Sequence, residues 1–183
     1  MRFSQTPFQG AWLVETEPFR DHRGKFVRFF CQNELREIHN GRPVDQISYS
    51  LTVKKGTIRG IHYQYPPKAE IKLIRCLRGA VFDVMVDLRQ NSPTFLKWHG
   101  EILSGENMKM LYVPQGIAHG FQTLEENCEM LYLHSGFYSP LHQAGLRCDD
   151  PKIGIQWPLG VAEISEKDCN FPLLTSDFPG IIL

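Results

Sequence analysis

The sequence predicts an all-β protein, a sandwich or barrel built from short strands. Short apolar-rich segments alternate with Gly, Pro, Asn and Asp along most of the chain, and helix signals are scarce. The length of 183 residues, with 42% hydrophobic and 22% charged content, is ordinary for one globular domain with a sizeable core. We therefore expect a single domain over residues 1–183.

The candidate strands follow one another at short intervals. In chain order they cover residues 11–16, 25–31, 46–52, 56–64, 71–78, 80–87, 98–103, 109–113, 118–123 and 128–135. Gly79 lies between two apolar runs and predicts a tight hairpin, and Asn107 predicts another.

Two short helices are predicted beside these strands. Residues 32–40 form the best early helix, with Asn33 as its N-cap and two apolar residues on one face. In the irregular C-terminal tail, Ser165 followed by Asp168 resembles a capping box.

Charge and cysteine content narrow the function. Twenty basic residues balance twenty acidic ones, so no overall field favours nucleic acid or an anionic membrane. An anionic ligand must be held by a local cluster of cations, and we expect it to be small. The five cysteines are widely spaced without a CxxC pair, which argues against a disulfide framework or a zinc site. With neither a signal-peptide-like segment nor a membrane span, the sequence predicts a soluble cytoplasmic protein.

The segment RGIHYQYPPKAEIK places Arg59, His62 and Lys72 on one short run of β-type sequence. These side chains are suited to binding an anion, removing a proton and stabilising an oxyanion. Arg59 and His62 are three apart, so a regular strand would direct them to opposite faces. We expect a β-bulge at Gly60 to bring them to one side.

A second segment, VPQGIAHGF, resembles the second sequence motif of the cupins, P-x-G-x-x-H, with its histidine at His119. Metal-binding cupins supply two histidines and a glutamate in their first motif, because a divalent ion needs several converging donors. Here the matching place, His62-Tyr63-Gln64, contains only one histidine. Lys72 lies where an acidic ligand is expected. A cation beside the site repels a metal, so we favour a jelly roll without a metal over a metal site.

The chain as a whole resembles the dTDP-4-dehydrorhamnose 3,5-epimerase family. The resemblance rests on ordered motifs over nearly its whole length: DHRGKF, RGIHYQYPP, KLIRCLRGAVFDVMVDLRQNSPTF, VPQGIAHGF, FYSP, DDPKIGIQWP and ISEKD. It implies a cupin-type double-stranded β-helix, or jelly roll, that forms a homodimer and needs no cofactor. It also implies inversion of stereocentres next to the C4 ketone of a nucleotide-linked 4-keto-6-deoxy sugar.

The resemblance assigns catalytic roles to four residues. His62 is the base that removes a proton beside the ketone, and Asp168 orients its imidazole. Lys72 stabilises the enolate oxygen. Tyr132 returns a proton on the opposite face, and a base on one face with an acid on the other makes an epimerase.

The resemblance also implies a binding set. Arg23 and Arg59 are expected to contact the diphosphate, since a guanidinium fork suits phosphate oxygens. His119 belongs to the sugar pocket and Tyr138 packs by the nucleobase. Further expected substrate contacts are Gln46, Ser48 and Lys167.

Departures from the family pattern lie on the recognition side. Arg28 stands where the family usually carries a glutamate, and Ser48, Cys148 and Gln143 also differ from it. A glutamate accepts a hydrogen bond from a base N–H, whereas an arginine only donates. The sequence therefore leaves the identity of the nucleotide base open. Inversion at C3 only or C5 only, a metal-dependent cupin and a non-catalytic sugar-binding cupin are the alternatives.

Overall fold

The computed structural model describes residues 1–39 and 41–183. Within these residues the chain forms thirteen strands and two helices. The strands are β1 (Arg2–Gln5), β2 (Trp12–Glu15), β3 (Phe19–Asp21), β4 (Gly24–Phe26), β5 (Gln46–Thr52), β6 (Ile58–Gln64), β7 (Lys72–Arg78), β8 (Ala80–Asp87), β9 (Trp98–Ser104), β10 (Lys109–Val113), β11 (Ile117–Thr123), β12 (Cys128–His134) and β13 (Gln143–Gly145). The helices are α1 (Gln32–His39) and α2 (Glu166–Cys169).

Two antiparallel sheets form the body of the fold. The larger has the order β1-β2-β10-β7-β12-β5, and the smaller has the order β13-β6-β11-β8-β9. Side chains from both sheets, including Ile74, Met85, Leu111 and Phe121, are fully buried in one cluster between them. Two sheets closed over a common core by strands that alternate between them form a jelly roll, which confirms the predicted fold class.

Most strands lie where the sequence predicts them. The predicted limits of β5, β8 and β10 agree with the structure, and most of the others differ by one or two residues. The predicted strand 25–31 is wrong beyond Phe26, where the chain leaves the β3–β4 hairpin. Strands β1, β3 and β13 were not predicted, because each has only three or four residues and little buried apolar surface.

The two predicted hairpins are wrong. Gly79 separates β7 from β8, but β7 pairs with β10 and β12 whereas β8 pairs with β9 and β11. Asn107 likewise lies between strands of different sheets, where its side chain accepts hydrogen bonds from the backbone of Ser104 and Lys109. Turn residues mark where the chain reverses, but they do not determine whether the next strand pairs with the last or crosses to the other sheet.

Both helices are present. The first begins at Gln32, so Asn33 lies in its first turn and is not the N-cap; the predicted last residue, 40, lies outside the described residues. The second follows Ser165, whose hydroxyl accepts from the backbone N–H of Asp168 at 3.1 Å as in a capping box. Neither helix of the described chain has the length and apolarity to cross a membrane.

Candidate active site

A cavity of about 690 Å³ lies between the two sheets at one end of the jelly roll. Its walls come from β6 and β11 of the smaller sheet, from β5, β7 and β12 of the larger sheet, and from the segment 163–168. A cavity of this size accommodates a small organic ligand. Five predicted site residues, each from a different element, line it together: His62, Lys72, His119, Tyr132 and Asp168.

The β-bulge predicted at Gly60 is present. In the pairing of β6 with β11, His62 lies opposite His119 and Arg59 opposite Phe121, so β6 has two residues where β11 has one. Gly60 has a φ of +107°, and a Cβ built on it would lie 2.7 Å from Cα of Gly120. Glycine is therefore required here, and the bulge brings Arg59 and His62 to the same cavity.

His62 and Asp168 form a short carboxylate–imidazole pair. Nε2 of His62 lies 2.6 Å from Oδ1 of Asp168, and the other carboxylate oxygen accepts from the backbone N–H of Gly60 at 3.2 Å. The Asp168 residue is buried, whereas the His62 side chain is 29% exposed to the cavity. The short helix α2 and its Ser165 cap fix Asp168 beneath the imidazole.

The ionisation of Asp168 determines which histidine nitrogen is free. Burial by itself raises the pKa of Asp168, but hydrogen bonds from His62, Gly60 and Ser165 outweigh it and the pKa lies below its usual value. An ionised carboxylate only accepts, so Nε2 of His62 donates to it. In the neutral ring the lone pair is then on Nδ1, which is the atom available as a base.

His119 belongs to a second, deeper pair. Its Nε2 lies 2.9 Å from both carboxylate oxygens of Asp83, and both residues are buried. Burial raises the pKa of Asp83 above its usual value, and His119 and Lys72 offset only part of this effect. His119 is thus held rigidly by a buried carboxylate on the neighbouring strand β8.

Tyr132 lies on β12, in the sheet that faces His62 across the cavity. Its hydroxyl lies 3.1 Å from the hydroxyl of Ser50, and its ring lies edge-to-face with His119 at 6.4 Å between centroids. Burial raises the pKa of the Tyr132 phenol, and the hydrogen bond to Ser50 offsets only part of this effect. The phenol is therefore protonated at neutral pH and able to donate.

Lys72 begins β7 with an ammonium group that is mostly buried. Its Nζ lies 3.5 Å from Oε1 of Glu70, whose other oxygen lies 2.9 Å from Nδ1 of His134. Burial lowers the pKa of Lys72 below its usual value, and the nearby carboxylates of Glu70 and Asp83 offset only part of this effect. A cation with few water contacts is well suited to stabilise negative charge on a bound ligand.

Three predicted binding residues lie at the rim of this cavity. Arg59 donates from Nε to the Thr52 hydroxyl at 2.8 Å and from Nη2 to the Leu51 carbonyl at 3.2 Å, which holds its guanidinium at the edge of β5. Tyr138 and Lys167 both donate to the side-chain oxygen of Gln143. This group forms one polar and aromatic rim.

The other predicted binding residues are elsewhere. Gln46 and Ser48 lie on β5 and bond to each other at 3.1 Å, outside the set of described residues that line the cavity. Arg23 lies at the tip of the β3–β4 hairpin, where its guanidinium is paired with Asp21. Arg28, the residue in place of the family's glutamate, pairs with Glu34 on the surface. The roles of Arg23, Gln46 and Ser48 stay predictions.

Sequence reasoning missed three polar residues, Asp83, Glu70 and His134, that pair with the predicted site residues or with each other. Asp83 was recognisable as a lone charge within an apolar strand, and His134 as a polar residue two positions after Tyr132 on the same face of β12. Glu70 carried no such signal, because it precedes β7 in an irregular segment. Within residues 1–39 and 41–183, no group of three or more His, Cys, Asp or Glu side chains is arranged to hold a metal ion.

The jelly roll holds between its two sheets a cavity lined by imidazole, carboxylate, phenol and ammonium groups, which is the composition of a site for acid–base chemistry on a small ligand. Residues 5–176 match the family model described as dTDP-4-dehydrorhamnose 3,5-epimerase. The chain therefore belongs to the dTDP-4-dehydrorhamnose 3,5-epimerase family, and it is an isomerase that acts on nucleotide-linked sugars.

Individual relatives agree with that assignment. The dTDP-4-dehydrorhamnose 3,5-epimerase of Shigella flexneri is 41% identical over 172 residues, covering 93% of this chain and 94% of the relative. The dTDP-4-dehydrorhamnose 3-epimerase of Streptomyces niveus is 36% identical over 175 residues, covering 95% of this chain and 84% of the relative. The crystal structure of the Bacillus anthracis 3,5-epimerase, with TDP and PPi bound, superposes with a TM-score of 0.91 at 40% identity, covering 94% of this chain and 99% of that one.

Proposed function

We propose that this chain inverts C3, C5 or both next to the C4 ketone of a dTDP-linked 4-keto-6-deoxy sugar, with His62 as the base and Tyr132 as the acid. One observation carries the proposal: the two residues lie on different sheets, on facing walls of one cavity. A planar enolate bound between them is open to His62 on one face and to Tyr132 on the other. Epimerisation requires that arrangement, because the proton must return opposite to the side it left.

His62, Tyr132 and water together account for every proton that is moved in the reaction. Nδ1 of His62 takes the proton from the carbon beside the ketone, and the electron pair of the C–H bond forms the enolate. The phenol of Tyr132 then gives its proton to the opposite face, and the phenolate recovers a proton from water while His62 releases one. Asp168 stabilises the imidazolium formed in the first step.

Lys72 is the group that we assign to the enolate oxygen. A C–H beside a ketone is a weak acid, so its removal needs a charge placed where the oxyanion develops. The buried position of Lys72, on β7 beside β12 in the cavity wall, provides such a charge with little competition from water.

The relatives support a choice of nucleotide and of the centres that are inverted. The Bacillus anthracis enzyme was crystallised with TDP and PPi bound, which supports a dTDP-linked substrate. In this chain we assign Arg59 to the diphosphate and Tyr138 to the base, since both lie at the rim of the cavity. The Streptomyces niveus relative is a 3-epimerase, which supports inversion at C3 alone as the second candidate.

A panel of nucleotide-linked 4-keto-6-deoxy sugars tests the proposal. The dTDP-, CDP-, UDP- and GDP-linked sugars are incubated with the enzyme in D₂O and read by NMR. We expect deuterium at C3, C5 or both of the dTDP sugar, with inversion at the labelled centre. Inversion of a differently based sugar in preference to the dTDP sugar would overturn the nucleotide assignment alone.

We also propose a homodimer, which β5 supports. It is the edge strand of the larger sheet, and Ile47, Tyr49 and Leu51 on it are 65%, 56% and 44% exposed. An exposed apolar edge strand is a ready surface for pairing with another chain. In light scattering, Tyr49→Glu should shift the protein to monomer, whereas Ile102→Glu on β9, an edge strand of the smaller sheet, should not. The five free thiols support a cytoplasmic location.

A further inference from the structure

Glu70 and His134 form a third carboxylate–imidazole pair in the cavity, which the proton relay above does not use. Their side chains are 8% and 13% exposed, and both line the cavity beside Lys72. The pair therefore faces the space inside the cavity. It differs from an ion pair on a solvated surface, which contributes little.

The charge of Glu70 fixes the orientation of the His134 ring. Burial alone raises the pKa of Glu70, but the hydrogen bond from His134 and the charge of Lys72 outweigh it, so the pKa is below its usual value. The ionised carboxylate accepts from Nδ1–H of His134. In the neutral ring Nε2 then carries a lone pair, and this atom has no hydrogen-bond partner among the residues that the structure describes.

The strand register places His134 between the proposed catalytic and nucleotide ends of the site. His134 lies directly opposite Lys72 on β7 and opposite Gln46 on β5. Side chains directly opposite on neighbouring antiparallel strands share one face and lie about 5 Å apart at Cβ. His134 is thus the next side chain along the sheet from Lys72, and the Gln46 side chain beyond it accepts from the backbone of Tyr138.

We propose that His134 is a specificity-determining residue that accepts a hydrogen bond from the hydroxyl on C3 of the keto sugar, and that Glu70 is the positioning residue that fixes its ring. This rests on the proposed function, in which Lys72 binds the C4 oxygen. The two ring carbons next to C4 are C3, which carries a hydroxyl, and C5, which carries a methyl in a 6-deoxy sugar. A methyl against Glu70 and His134 would leave desolvated polar groups unpaired, whereas the hydroxyl satisfies Nε2.

The test compares two sugars that differ only at that position. The dTDP-linked 4-keto-6-deoxy sugar and its analogue without the 3-hydroxyl are incubated in D₂O, and kcat/KM is measured for exchange of the protons next to the ketone. We expect the wild-type enzyme to prefer the hydroxyl-bearing sugar by at least about tenfold. His134→Phe should remove most of that preference by slowing only the hydroxyl-bearing sugar. His99→Phe is the matched control, since His99 pairs with Glu101 on β9 outside the cavity lining, and it should keep the preference.

Glu70 provides an independent second variant. Glu70→Ala should lower the preference as His134→Phe does, since its effects through Lys72 act on both sugars and cancel in the ratio. Glu70→Gln should retain part of it, because the amide oxygen still accepts from Nδ1. A wild-type enzyme that does not distinguish the sugars, or a preference unchanged in both His134→Phe and Glu70→Ala, overturns the proposal while leaving the epimerase assignment in place. Absence of exchange with either sugar overturns that assignment, and this proposal with it.

Discussion

His62 and Asp168 are 106 positions apart in the chain, yet Nε2 of His62 lies 2.6 Å from Oδ1 of Asp168. The bulge at Gly60 turns the imidazole into the cavity, and the short C-terminal helix brings the carboxylate to it. The pair leaves the lone pair of the neutral ring on Nδ1 of His62, the atom that we propose as the base.

Variants of His62 or Asp168 should lose catalytic activity while they keep most of their affinity for the nucleotide. His62→Ala should abolish exchange of the protons beside the ketone and leave dTDP affinity within about threefold, because the imidazole is assigned to chemistry. Asp168→Asn should reduce kcat by about 10²-fold or more, because the imidazolium loses its charged partner. Exchange kinetics by NMR and dTDP titration by calorimetry give both quantities. Parallel loss of binding and exchange in His62→Ala would mean that His62 has a structural role.

Lys72→Met tests the enolate stabiliser. The thioether chain keeps the length of the lysine but removes its charge, so we expect kcat to fall by about 10²- to 10³-fold with a smaller change in KM. Lys167→Met, at the cavity rim, is the matched control and should change kcat far less. An unaltered kcat in Lys72→Met would remove Lys72 from the mechanism.

Gly60→Ala tests the geometry of the bulge. A Cβ at this position would lie 2.7 Å from Cα of Gly120 and 2.8 Å from the His119 carbonyl oxygen, on a residue with φ of +107°. We expect a loss of about 2–4 kcal/mol in the free energy of unfolding, together with loss of activity. Gly160→Ala meets open space and should cost less than about 1 kcal/mol by chemical denaturation. Similar stabilities for the two variants would show that the bulge tolerates a side chain.

Much of the cavity lining was predictable from the sequence because the predicted site residues lie in strands with clear patterns. His62, His119 and Tyr132 are on three long strands, and the bulge followed from the spacing of Arg59 and His62 with a glycine between them. What the sequence did not reveal is pairing over long distances. The sheet crossings at Gly79 and Asn107 depend on which strands meet in three dimensions, and turn chemistry does not encode that choice.

The carboxylate partners of the two other histidines in the cavity were harder to predict for the same reason. Asp83 binds His119 across two neighbouring strands, and Glu70 binds His134 over 64 positions of sequence. Neither pair has a local motif. Arg23 lies on an exposed hairpin, where it pairs with Asp21, and its assignment to the diphosphate stays a prediction.

Asp87 provides a pH-dependent prediction about stability. Its buried carboxylate accepts from Arg89 and from the hydroxyls of Ser92 and Thr94, at distances from 2.6 to 3.1 Å. Burial by itself raises the pKa of Asp87, but these bonds outweigh it and lower the pKa in the folded protein. Such a group stabilises the fold above its unfolded pKa of about 3.9, and the contribution is lost as the pH falls towards and below that value.

Asp87→Asn should therefore lower the free energy of unfolding by about 2–4 kcal/mol at pH 7, and the difference from wild type should shrink below about pH 5. Urea denaturation from pH 3 to 7 measures both effects. Asp149→Asn, on a 60% exposed carboxylate, is the control and should change stability by less than about 0.5 kcal/mol. A difference that does not depend on pH would contradict the charge-based account.

The configuration of the product made by a Tyr132→Phe variant tests most directly whether His62 and Tyr132 act on opposite faces of the sugar. In D₂O the wild-type enzyme should give a keto sugar that is both deuterated and inverted at the reacting carbon. The variant keeps the base His62 but loses the acid on the facing wall, so we expect deuterium to enter from the side of His62 with the original configuration retained. NMR of the recovered sugar distinguishes label from configuration. Inversion by Tyr132→Phe at the wild-type rate would contradict the assignment of Tyr132 as the acid on the opposite face.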